Sequence, residues 1–510
     1  MKTKSVLLYG IYGLLSATKV HAQDHIKPNI VLILVDDLGY GDIHCNSAKG
    51  IIPTPNIDKL ATQGMRFTDA HASASICSPS RYSILTGRYP WRSRLQGGIV
   101  AKWEKPLISP GRKTIANLAS DEGYQTVAIG KWHLGWDWPI EPQDKPHFTK
   151  FGPFEGKTKD GSLKIATPTD EDRAVWAKTF ARPIKGGPLA HGFDTYFGMD
   201  LPNWPPFCFI ENEHTVGIPS EFLKASQVAT NLASYQGPAL KDWDLTQILP
   251  TIEGHATDFI AKHKADDKPF FMYLSLTAPH TPLAVTELWH KKSGLDNDYA
   301  DLVMETDAVV GHVLDALKAN GLEKNTLVIF TSDNGCAAYI GAKDLEAKGH
   351  FVNGGLRGYK NEIYEGGNRM PLIIRYPGVV KVGTVNNKLV LQADFMATFA
   401  DIFGKKLPDS VGEDSYSLLP LLKGRHVNVR KTAIYSSSDG TKAIRKGPWK
   451  LICSPKMELY NLDDDITESK NILDESPKLV KELLAIRKKL ISNGRSTPGP
   501  VLQNDVAIKK

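Results

Sequence analysis

The chain has 510 residues, of which 41% are hydrophobic and 23% charged, and at this length two or more domains are expected. This mixture excludes a wholly disordered, collagenous or coiled-coil protein. The net charge is only +6 and the chain contains no block of lysine and arginine, so nucleic acid is excluded as a partner.

The N-terminus has the pattern of a signal peptide. Lys2 and Lys4 precede an apolar stretch from Val6 to Ala17, and Ala22 ends a small-x-small cleavage motif. The apolar stretch is shorter than the ~20 residues that span a bilayer, so a membrane anchor is the weaker interpretation. We therefore expect residues 1–22 to be cleaved, the protein to be secreted or periplasmic, and no later segment to span a membrane.

Buried strands and helices alternate through most of the chain. Asn29 to Val35 is a continuous β-branched and aliphatic run, which is typical of a strand buried on both faces. This alternation predicts an α/β fold with a large, mostly parallel sheet sandwiched by helices, whose ligands gather at the carboxyl ends of the strands. The other predicted strands are 126–129, 270–276, 327–331 and 371–375, and the predicted helices are 114–122 and 299–320.

Two regions depart from this alternation. Residues 136–188 are rich in glycine, proline, lysine and aspartate and lack clear periodicity, so we expect a long insertion or a substrate-facing loop. Beyond Lys423 the pattern changes to short strands at hairpin spacing, at 432–435, 442–445, 449–452 and 457–460, and to an amphipathic helix at 479–491. The predicted domains are a catalytic α/β domain at 23–423 and a smaller antiparallel α+β domain at 424–510.

The strongest local signal is the motif Cys77-Ser78-Pro79-Ser80-Arg81, which Thr86-Gly87-Arg88 follows. A second motif, Gly-Tyr-x-Thr-x-x-x-Gly-Lys-Trp-His, lies at 123–133, and further blocks lie at 36–37, 278–282, 332–335 and 356–360. With these blocks the chain resembles the type I, formylglycine-dependent sulfatases of the alkaline phosphatase superfamily, of the arylsulfatase A and N-acetylgalactosamine-6-sulfatase kind. The resemblance covers roughly Asn29 to Asn471.

The resemblance implies an alkaline-phosphatase-like fold and a modified residue at position 77. Cys77 would be oxidised to formylglycine by a separate maturation enzyme, and one hydroxyl of the aldehyde hydrate would attack the sulfur of a sulfate ester. A lone cysteine is more often a buried, inert thiol. Pro79 and Arg81 at the maturation spacing favour the nucleophile.

The resemblance also implies a metal site, with residue 77 among its ligands. The other ligands are hard oxygen donors at the ends of two predicted strands: Asp36, Asp37, Asp333 and Asn334. Oxygen-only ligation suits Ca²⁺, with Mg²⁺ as the alternative. Paired acids are more often turn or cap residues, but a metal would relieve the mutual repulsion of Asp36 and Asp37.

Cations and histidines complete the expected active site. By resemblance, Arg81, Lys131 and Lys360 supply positive charge around a divalent oxyanion. His133 would take a proton from the second hydroxyl of the hydrate when sulfate is expelled, and His280 would protonate the departing alcohol. Asp333 is an additional acceptor for the nucleophile's proton. Each lysine or histidine alone would be assigned a structural or solvated role.

Other candidates remain open at this stage. Trp136, Trp138, Trp204, Phe207 and Arg94 either form a sugar-binding rim or pack in the core or a lid. His191 is assigned a structural role. Cys45, Cys208, Cys336 and Cys453 either pair as disulfides or stay as buried thiols.

The expected function is an exported, calcium-dependent sulfatase that acts on sulfated galactan or glycosaminoglycan-type oligosaccharides, in an exo fashion. One alternative is a phosphomonoester or phosphodiester hydrolase of the same superfamily, with the same nucleophile and metal. Another is a binding protein that keeps the fold without the chemistry, although no expected catalytic group is missing.

Overall fold

The computed structural model describes residues 27–47, 49–152, 167–228, 233–264 and 267–508. The predicted signal peptide at 1–22 lies outside these residues and stays a prediction. Within the described part, no helix is both long enough and apolar enough to cross a bilayer. All five cysteines are free thiols, so the pairing that the sequence left open is not present among them.

The strands in chain order are β1 (Asn29–Val35), β2 (Met65–Phe67), β3 (Ala70–His71), β4 (Gln125–Lys131), β5 (Thr195–Met199), β6 (Ile210–Glu211), β7 (His214–Thr215), β8 (Glu221–Leu223), β9 (Gly237–Ala239), β10 (Phe270–Ser275), β11 (Thr326–Ser332), β12 (Leu372–Arg375), β13 (Thr384–Asn386), β14 (Val390–Leu391), β15 (Thr432–Ser436), β16 (Lys442–Lys446), β17 (Trp449–Cys453) and β18 (Glu458–Asn461).

The α-helices are α1 (Pro55–Gln63), α2 (Cys77–Thr86), α3 (Ile115–Asp121), α4 (Pro146–Thr149), α5 (Asp170–Phe180), α6 (Ala225–Val228), α7 (Ile248–Lys262), α8 (Asp298–Ala319), α9 (Ala342–Ala347), α10 (Glu365–Asn368), α11 (Phe395–Ile402), α12 (Leu419–Leu422) and α13 (Pro477–Ser492).

Ten strands form one large sheet in the order β13-β2-β12-β11-β1-β10-β4-β5-β6-β7. Its centre is parallel: β1 pairs with β10 and β11, and β4 pairs with β10 and β5. Antiparallel pairs occur toward the edges, where β12 joins β11 and β6 joins β5. The predicted mixed, mostly parallel sheet is confirmed.

Two hydrophobic cores, one on each face, cover the sheet. On one face, alternate residues of β1 such as Val31 and Ile33 pack with α1, α7 and α8. On the other face, Ile30 and Leu32 belong to the core that includes α2, α3 and α11. Because the central strands are buried on both sides, they read as continuous apolar runs rather than as alternating patterns.

The prediction of an irregular segment at 136–188 is wrong in part. A capped helix, α5, spans Asp170–Phe180, with Thr169 and Asp172 forming a reciprocal capping box. Its apolar residues Trp176 and Phe180 belong to a small aromatic core of their own. The polar composition concealed this helix, since only a narrow aromatic side is buried. Residues 153–166 lie outside the described part of the chain.

The C-terminal region contains the predicted antiparallel sheet, β15-β16-β17-β18, with α13 packed against it. Buried ion pairs connect it to the large domain. Arg430, just before β15, donates from Nε to Asp394 Oδ2 at 3.1 Å and from Nη2 to Asp394 Oδ1. Asp394 also accepts hydrogen bonds from the backbone N–H groups of Leu391 and Tyr416.

Asp394→Ala is expected to destabilise the protein by about 3–5 kcal/mol, because Arg430 would remain buried without its carboxylate partner. Urea denaturation followed by tryptophan fluorescence measures the change. Asp401→Ala, at an exposed position of α11, the helix that follows Asp394, is the control and should stay within about 0.5 kcal/mol of the original protein. Equal losses in both variants would contradict this role of the buried pair.

Candidate active site

The site begins where two neighbouring strands end. β1 and β11 are parallel, and Val35 is aligned with Ser332, so the residues that follow each strand leave the sheet side by side. Asp37 N donates to Asp333 Oδ1 at 3.2 Å, and Asn334 Nδ2 donates to Asp37 Oδ1 at 2.7 Å. Asp36, Asp37, Asp333 and Asn334 are all buried. The structure brings these predicted ligands together.

Residue 77 lies directly against this acidic pair. Cys77 is the first residue of α2 and is 2% exposed. Its Sγ is 3.7 Å from Asp36 Oδ1 and 4.0 Å from Asp37 Oδ1. Burial raises the pKa of the Cys77 thiol to about 12, although the charges of Lys131 and Lys360 act in the opposite direction. An unmodified thiol here is therefore protonated and a poor nucleophile at neutral pH.

Arg81 lies one helical turn after residue 77 and contacts both Asp36, after β1, and Asp333, after β11. Its Nε and Nη2 are 3.0 Å and 2.8 Å from Asp333 Oδ2, and Nη2 is 3.4 Å from Asp36 Oδ1. Nη1 donates to Ser275 Oγ at the end of β10. The α2 helix is therefore held in place by the same carboxylates that surround residue 77.

Lys131 and Lys360 neutralise the first acidic pair. Lys131 ends β4 and places Nζ 2.6 Å from Asp36 Oδ2, and Lys360 Nζ is 2.7 Å from Asp37 Oδ2. Glycine at position 130, just before Lys131, allows β4 to lie close to β10, because a Cβ there would be 1.9 Å from the carbonyl oxygen of Ser275.

The carboxyl groups of Asp36 and Asp333 respond differently to this environment. Burial raises the pKa of Asp36, but the positive charges of Lys131 and Arg81 outweigh that effect and hold it well below its usual value. Burial and the nearby charge of Asp36 raise the pKa of Asp333 to about 6. The cluster therefore contains one firmly ionised carboxylate beside one that takes up a proton more easily.

Both predicted histidines face this cluster. His280 Nε2 is 3.7 Å from Asp37 Oδ2, and its Nδ1 is hydrogen-bonded to the carbonyl oxygen of Thr281. His133 is buried, and neither ring nitrogen has a hydrogen-bond partner within the described part of the chain. Trp204 packs edge-on against the His133 ring, with centroids 5.9 Å apart. A buried imidazole with two unused nitrogens is suited to exchange protons with a bound molecule.

The donor atoms fit a divalent cation. Ligand atoms of Asp36, Asp37, Cys77 and His280 all lie within 4.8 Å of one another. Asn334 Oδ1 is buried and accepts no hydrogen bond from the residues that the structure describes. Carboxylate and amide oxygens are the donors that Ca²⁺ and Mg²⁺ prefer. Asp333, whose oxygens are engaged by Arg81 and Asp37 N, is adjacent to this group.

Most of the proposed aromatic rim lies elsewhere. Trp136 and Phe207 are buried in hydrophobic cores, and Trp138 packs against Trp103 and Phe180. Trp204, beside His133, is the aromatic candidate that reaches the site. His191 stacks on Trp132 with centroids 5.9 Å apart, which agrees with a structural role. Arg94 lines a separate cavity.

Sequence reasoning missed Ser275 and Tyr339. Ser275 ends β10 as a polar residue after an apolar strand, which is the same signal that identified Asp36. Tyr339 is 45% exposed and carries no motif. Burial of its hydroxyl end raises the pKa of Tyr339 to about 12, while the charge of Lys360 opposes this rise.

Two family models match the chain. The model described as Sulfatase matches residues 28–405, and the model described as N-sulphoglucosamine sulphohydrolase, C-terminal, matches residues 358–494. N-acetylgalactosamine-6-O-sulfatase of Bacteroides thetaiotaomicron is 31% identical over 91% of this chain and 93% of its own length. Human arylsulfatase A is 31% identical over 83% of this chain and 74% of its own length.

Solved structures share the fold over nearly the whole chain. A structure from work on the metabolism of multiple glycosaminoglycans by Bacteroides thetaiotaomicron has a TM-score of 0.75 and 28% identity, covering 91% of this chain and 99% of its own. Ps i-CgsB in complex with k-i-k-neocarrahexaose has a TM-score of 0.66 and 26% identity, covering 93% and 94%. The alkaline-phosphatase-like architecture expected from the motifs is confirmed.

The His133 imidazole is expected to stay neutral as the pH falls from 8 to 6.5, where half of a free histidine side chain would be protonated. Burial, reinforced by the charges of Lys131 and Arg81, holds its pKa well below the usual 6.5, so the folded protein binds this proton only at lower pH. Histidine-selective NMR across this range measures the protonation, with His133→Gln to assign the signal. A midpoint at or above 6.5, the value of a free histidine side chain, would contradict the expectation.

Proposed function

Because the chain belongs to the sulfatase family and is a sulfuric ester hydrolase, we propose that it removes sulfate from sulfated carbohydrates through a formylglycine at position 77. The observation that carries the proposal is the position of residue 77. It is buried at the start of α2, 3.7 Å from Asp36, beside carboxylates that contact Arg81, Lys131 and Lys360. Three buried cations that meet at one cluster suit a divalent tetrahedral anion.

The proposed substrates are sulfated galactan or glycosaminoglycan-type oligosaccharides, attacked from an end. Two comparisons support this class. The Bacteroides thetaiotaomicron relative, named as an N-acetylgalactosamine-6-O-sulfatase, matches almost its full length, and Ps i-CgsB was solved with a neocarrahexaose. Aromatic Trp204 next to His133 offers a surface on which a sugar ring can pack.

Formylglycine would be produced from Cys77 by a maturation enzyme. When present, it supplies, as its hydrate, an oxygen nucleophile that attacks sulfur and a second hydroxyl whose deprotonation lets sulfate leave. The chain's own contribution is to bury and orient this residue. Arg81 is proposed to donate hydrogen bonds to residue 77 and to sulfate, and the contacts of its guanidinium with Asp333 and Asp36 support this role.

The proposed cation is Ca²⁺, with Mg²⁺ as the alternative. Asp36, Asp37, Asp333, Asn334 and residue 77 would hold it, and the unpartnered Asn334 Oδ1 supports this ligand set. A bound divalent cation would supply positive charge that polarises a sulfate oxygen and offsets the buildup of negative charge.

The histidines divide the proton transfers between them. His133 is proposed to accept the proton of the second hydroxyl, since its unused nitrogens face no competing donor in the described part of the chain. His280 is proposed to donate a proton to the departing sugar oxygen, with Lys360 close to the same side. His280 and Lys360 both lie near Asp37, which connects them to the acidic cluster.

The domain and export assignments are proposals as well. The proposed mature chain begins after residue 22 and is secreted or periplasmic, with a catalytic domain to residue 423 and a C-terminal domain from 424. The separate four-stranded sheet β15–β18 supports this boundary, and its hydrophobic core also contains Tyr89, Trp91 and Leu391 of the catalytic domain.

The test of the function compares ester types and removes the nucleophile. Protein made with a maturation enzyme is expected to hydrolyse 4-nitrophenyl sulfate with a kcat/KM at least about 100-fold above that for 4-nitrophenyl phosphate. Cys77→Ala should lower sulfate turnover by at least about 1,000-fold, because the covalent step is lost. Mass spectrometry of the peptide that contains residue 77 should show formylglycine.

Cys45→Ala is the matched control, since Cys45 is a free thiol outside the site, and its activity should be unchanged. A preference for phosphate esters would favour the alternative function, a phosphomonoester or phosphodiester hydrolase. Unmodified thiol in fully active protein, or full activity of Cys77→Ala, would contradict the nucleophile.

Calcium is expected to raise the Tm of protein that has been treated with a chelator. Binding to the folded state alone stabilises by about 2.7 kcal/mol when the ion is at 100 times its Kd. Asn334→Ala should weaken this effect because the amide oxygen is lost, whereas Asp401→Asn, at an exposed position, should retain it. Differential scanning calorimetry with Ca²⁺ or Mg²⁺ measures the shift. Identical shifts in Asn334→Ala and the original protein would exclude Asn334 as a ligand.

A further inference from the structure

A cavity of about 850 Å³ lies between the β15–β16 hairpin, the C-terminal end of β17, helix α13 and the loop around Gly97. This volume is within the range of about 300–1,000 Å³ that is usual for small-ligand sites. None of the residues that line it belongs to the candidate active site. They are Arg94, Gln96, Gly97, Ser438, Asp439, Gly440, Thr441, Lys442, Cys453, Ser454, Pro455, Arg487, Val506 and Ala507.

The lining carries an excess of positive charge. Arg94, Lys442 and Arg487 face a single carboxylate, Asp439, whose Oδ1 accepts hydrogen bonds from Ser437 Oγ and Thr441 N. Arg94 Nη1 also forms an ion pair with Glu104 Oε1 at 3.2 Å, and Glu104 does not line the cavity. Arg487 Nε is buried and makes no hydrogen bond to any residue that the structure describes.

The charges act on a neighbouring thiol in the same cavity. Burial raises the pKa of Cys453, and the positive charges of Arg487 and Lys442 oppose that rise. Ser438, Thr441 and Ser454 also line the cavity. A cavity with several cations, hydroxyls and exposed glycine backbone suits an anionic, hydroxyl-rich ligand better than an apolar one.

Backbone hydrogen bonds join one wall of the cavity to chain segments next to the candidate active site. Ser438 N donates to the carbonyl oxygen of Asn361 at 3.1 Å, directly after the catalytic lysine. Asn361 N donates to Ser75 O at 2.7 Å, two residues before Cys77. Gly98 N donates to Ser438 O at 2.6 Å. The hairpin turn that forms one wall of the cavity therefore also borders the segments that hold Lys360 and residue 77.

We propose that this cavity is a second binding site, which takes a sulfate or carboxylate group on a sugar residue of the substrate chain beyond the residue whose ester is cleaved. The inference rests on the proposed function and deepens it, because it makes the preferred substrate an oligosaccharide with more than one anionic group. Arg487 and Lys442 bind the anion, and the serine and threonine hydroxyls bind the sugar.

The first experiment uses Cys453 as a reporter in the Cys77→Ala protein, which binds without turnover. Cys453 is half-buried in the cavity wall, and its alkylation by iodoacetamide can be followed by peptide mass spectrometry. A saturating chondroitin sulfate tetrasaccharide is expected to slow this alkylation about tenfold, because the bound sugar covers the thiol. Sodium sulfate at equal ionic strength is expected to give no comparable protection.

The second experiment measures tetrasaccharide affinity by calorimetry in the same background. Arg487→Gln is expected to weaken binding about tenfold, the value of one charge-assisted contact, and Arg487→Lys should recover most of it. Lys488→Gln is the matched control, because it removes a neighbouring, exposed charge of α13 that does not line the cavity.

Three results would overturn the proposal: no protection of Cys453, equal protection by sodium sulfate, or equal effects of Arg487→Gln and Lys488→Gln. Equal protection by sodium sulfate would assign the cavity to a free anion. Failure of the proposed function is seen separately, as the absence of 4-nitrophenyl sulfate turnover by the matured protein, which does not depend on the occupancy of this cavity.

Discussion

The parallel pairing of β1 with β11 is the constraint on which the site depends. It delivers Asp36 and Asp37 beside Asp333 and Asn334 in a buried position, where carboxylates repel one another and lose hydration. Such a cluster is stable only with cations against it. Arg81 on α2, Lys131 at the end of β4 and Lys360 in a later loop therefore converge on one point. The cations that offset the repulsion between these carboxylates are also the groups that can bind an oxyanion.

The central sheet and the charged residues could be predicted because their signals are local. β1, β10 and β11 are continuous apolar runs that end in polar residues, and each was located from the sequence to within one or two residues. The convergence of Cys77, Arg81 and the acid pairs followed from the family motifs and the rule that ligands gather at strand ends.

The features that were missed depend on long-range packing. α5 was not predicted, because its few buried aromatics, such as Trp176, form a satellite core with residues distant in the chain. Trp136 is enclosed between β5 and other aromatic residues, whereas Trp204 borders His133. Composition does not predict which tryptophan is buried in the core and which borders the site, because this depends on the residues that pack against each of them.

The C-terminal sheet forms a separate layer and also contacts the chain next to residue 77. The segment before residue 77 is held on both sides: Ser75 N donates to Ser436 O at 2.9 Å, and Ser75 O accepts from Asn361 N at 2.7 Å. Ser436 belongs to β15, and Asn361 directly follows Lys360. A shift of the C-terminal sheet would therefore move the start of α2 and the lysine together. Since catalytic positioning tolerates only small displacements, the buried Arg430–Asp394 pair that fixes this sheet also contributes to the geometry around residue 77.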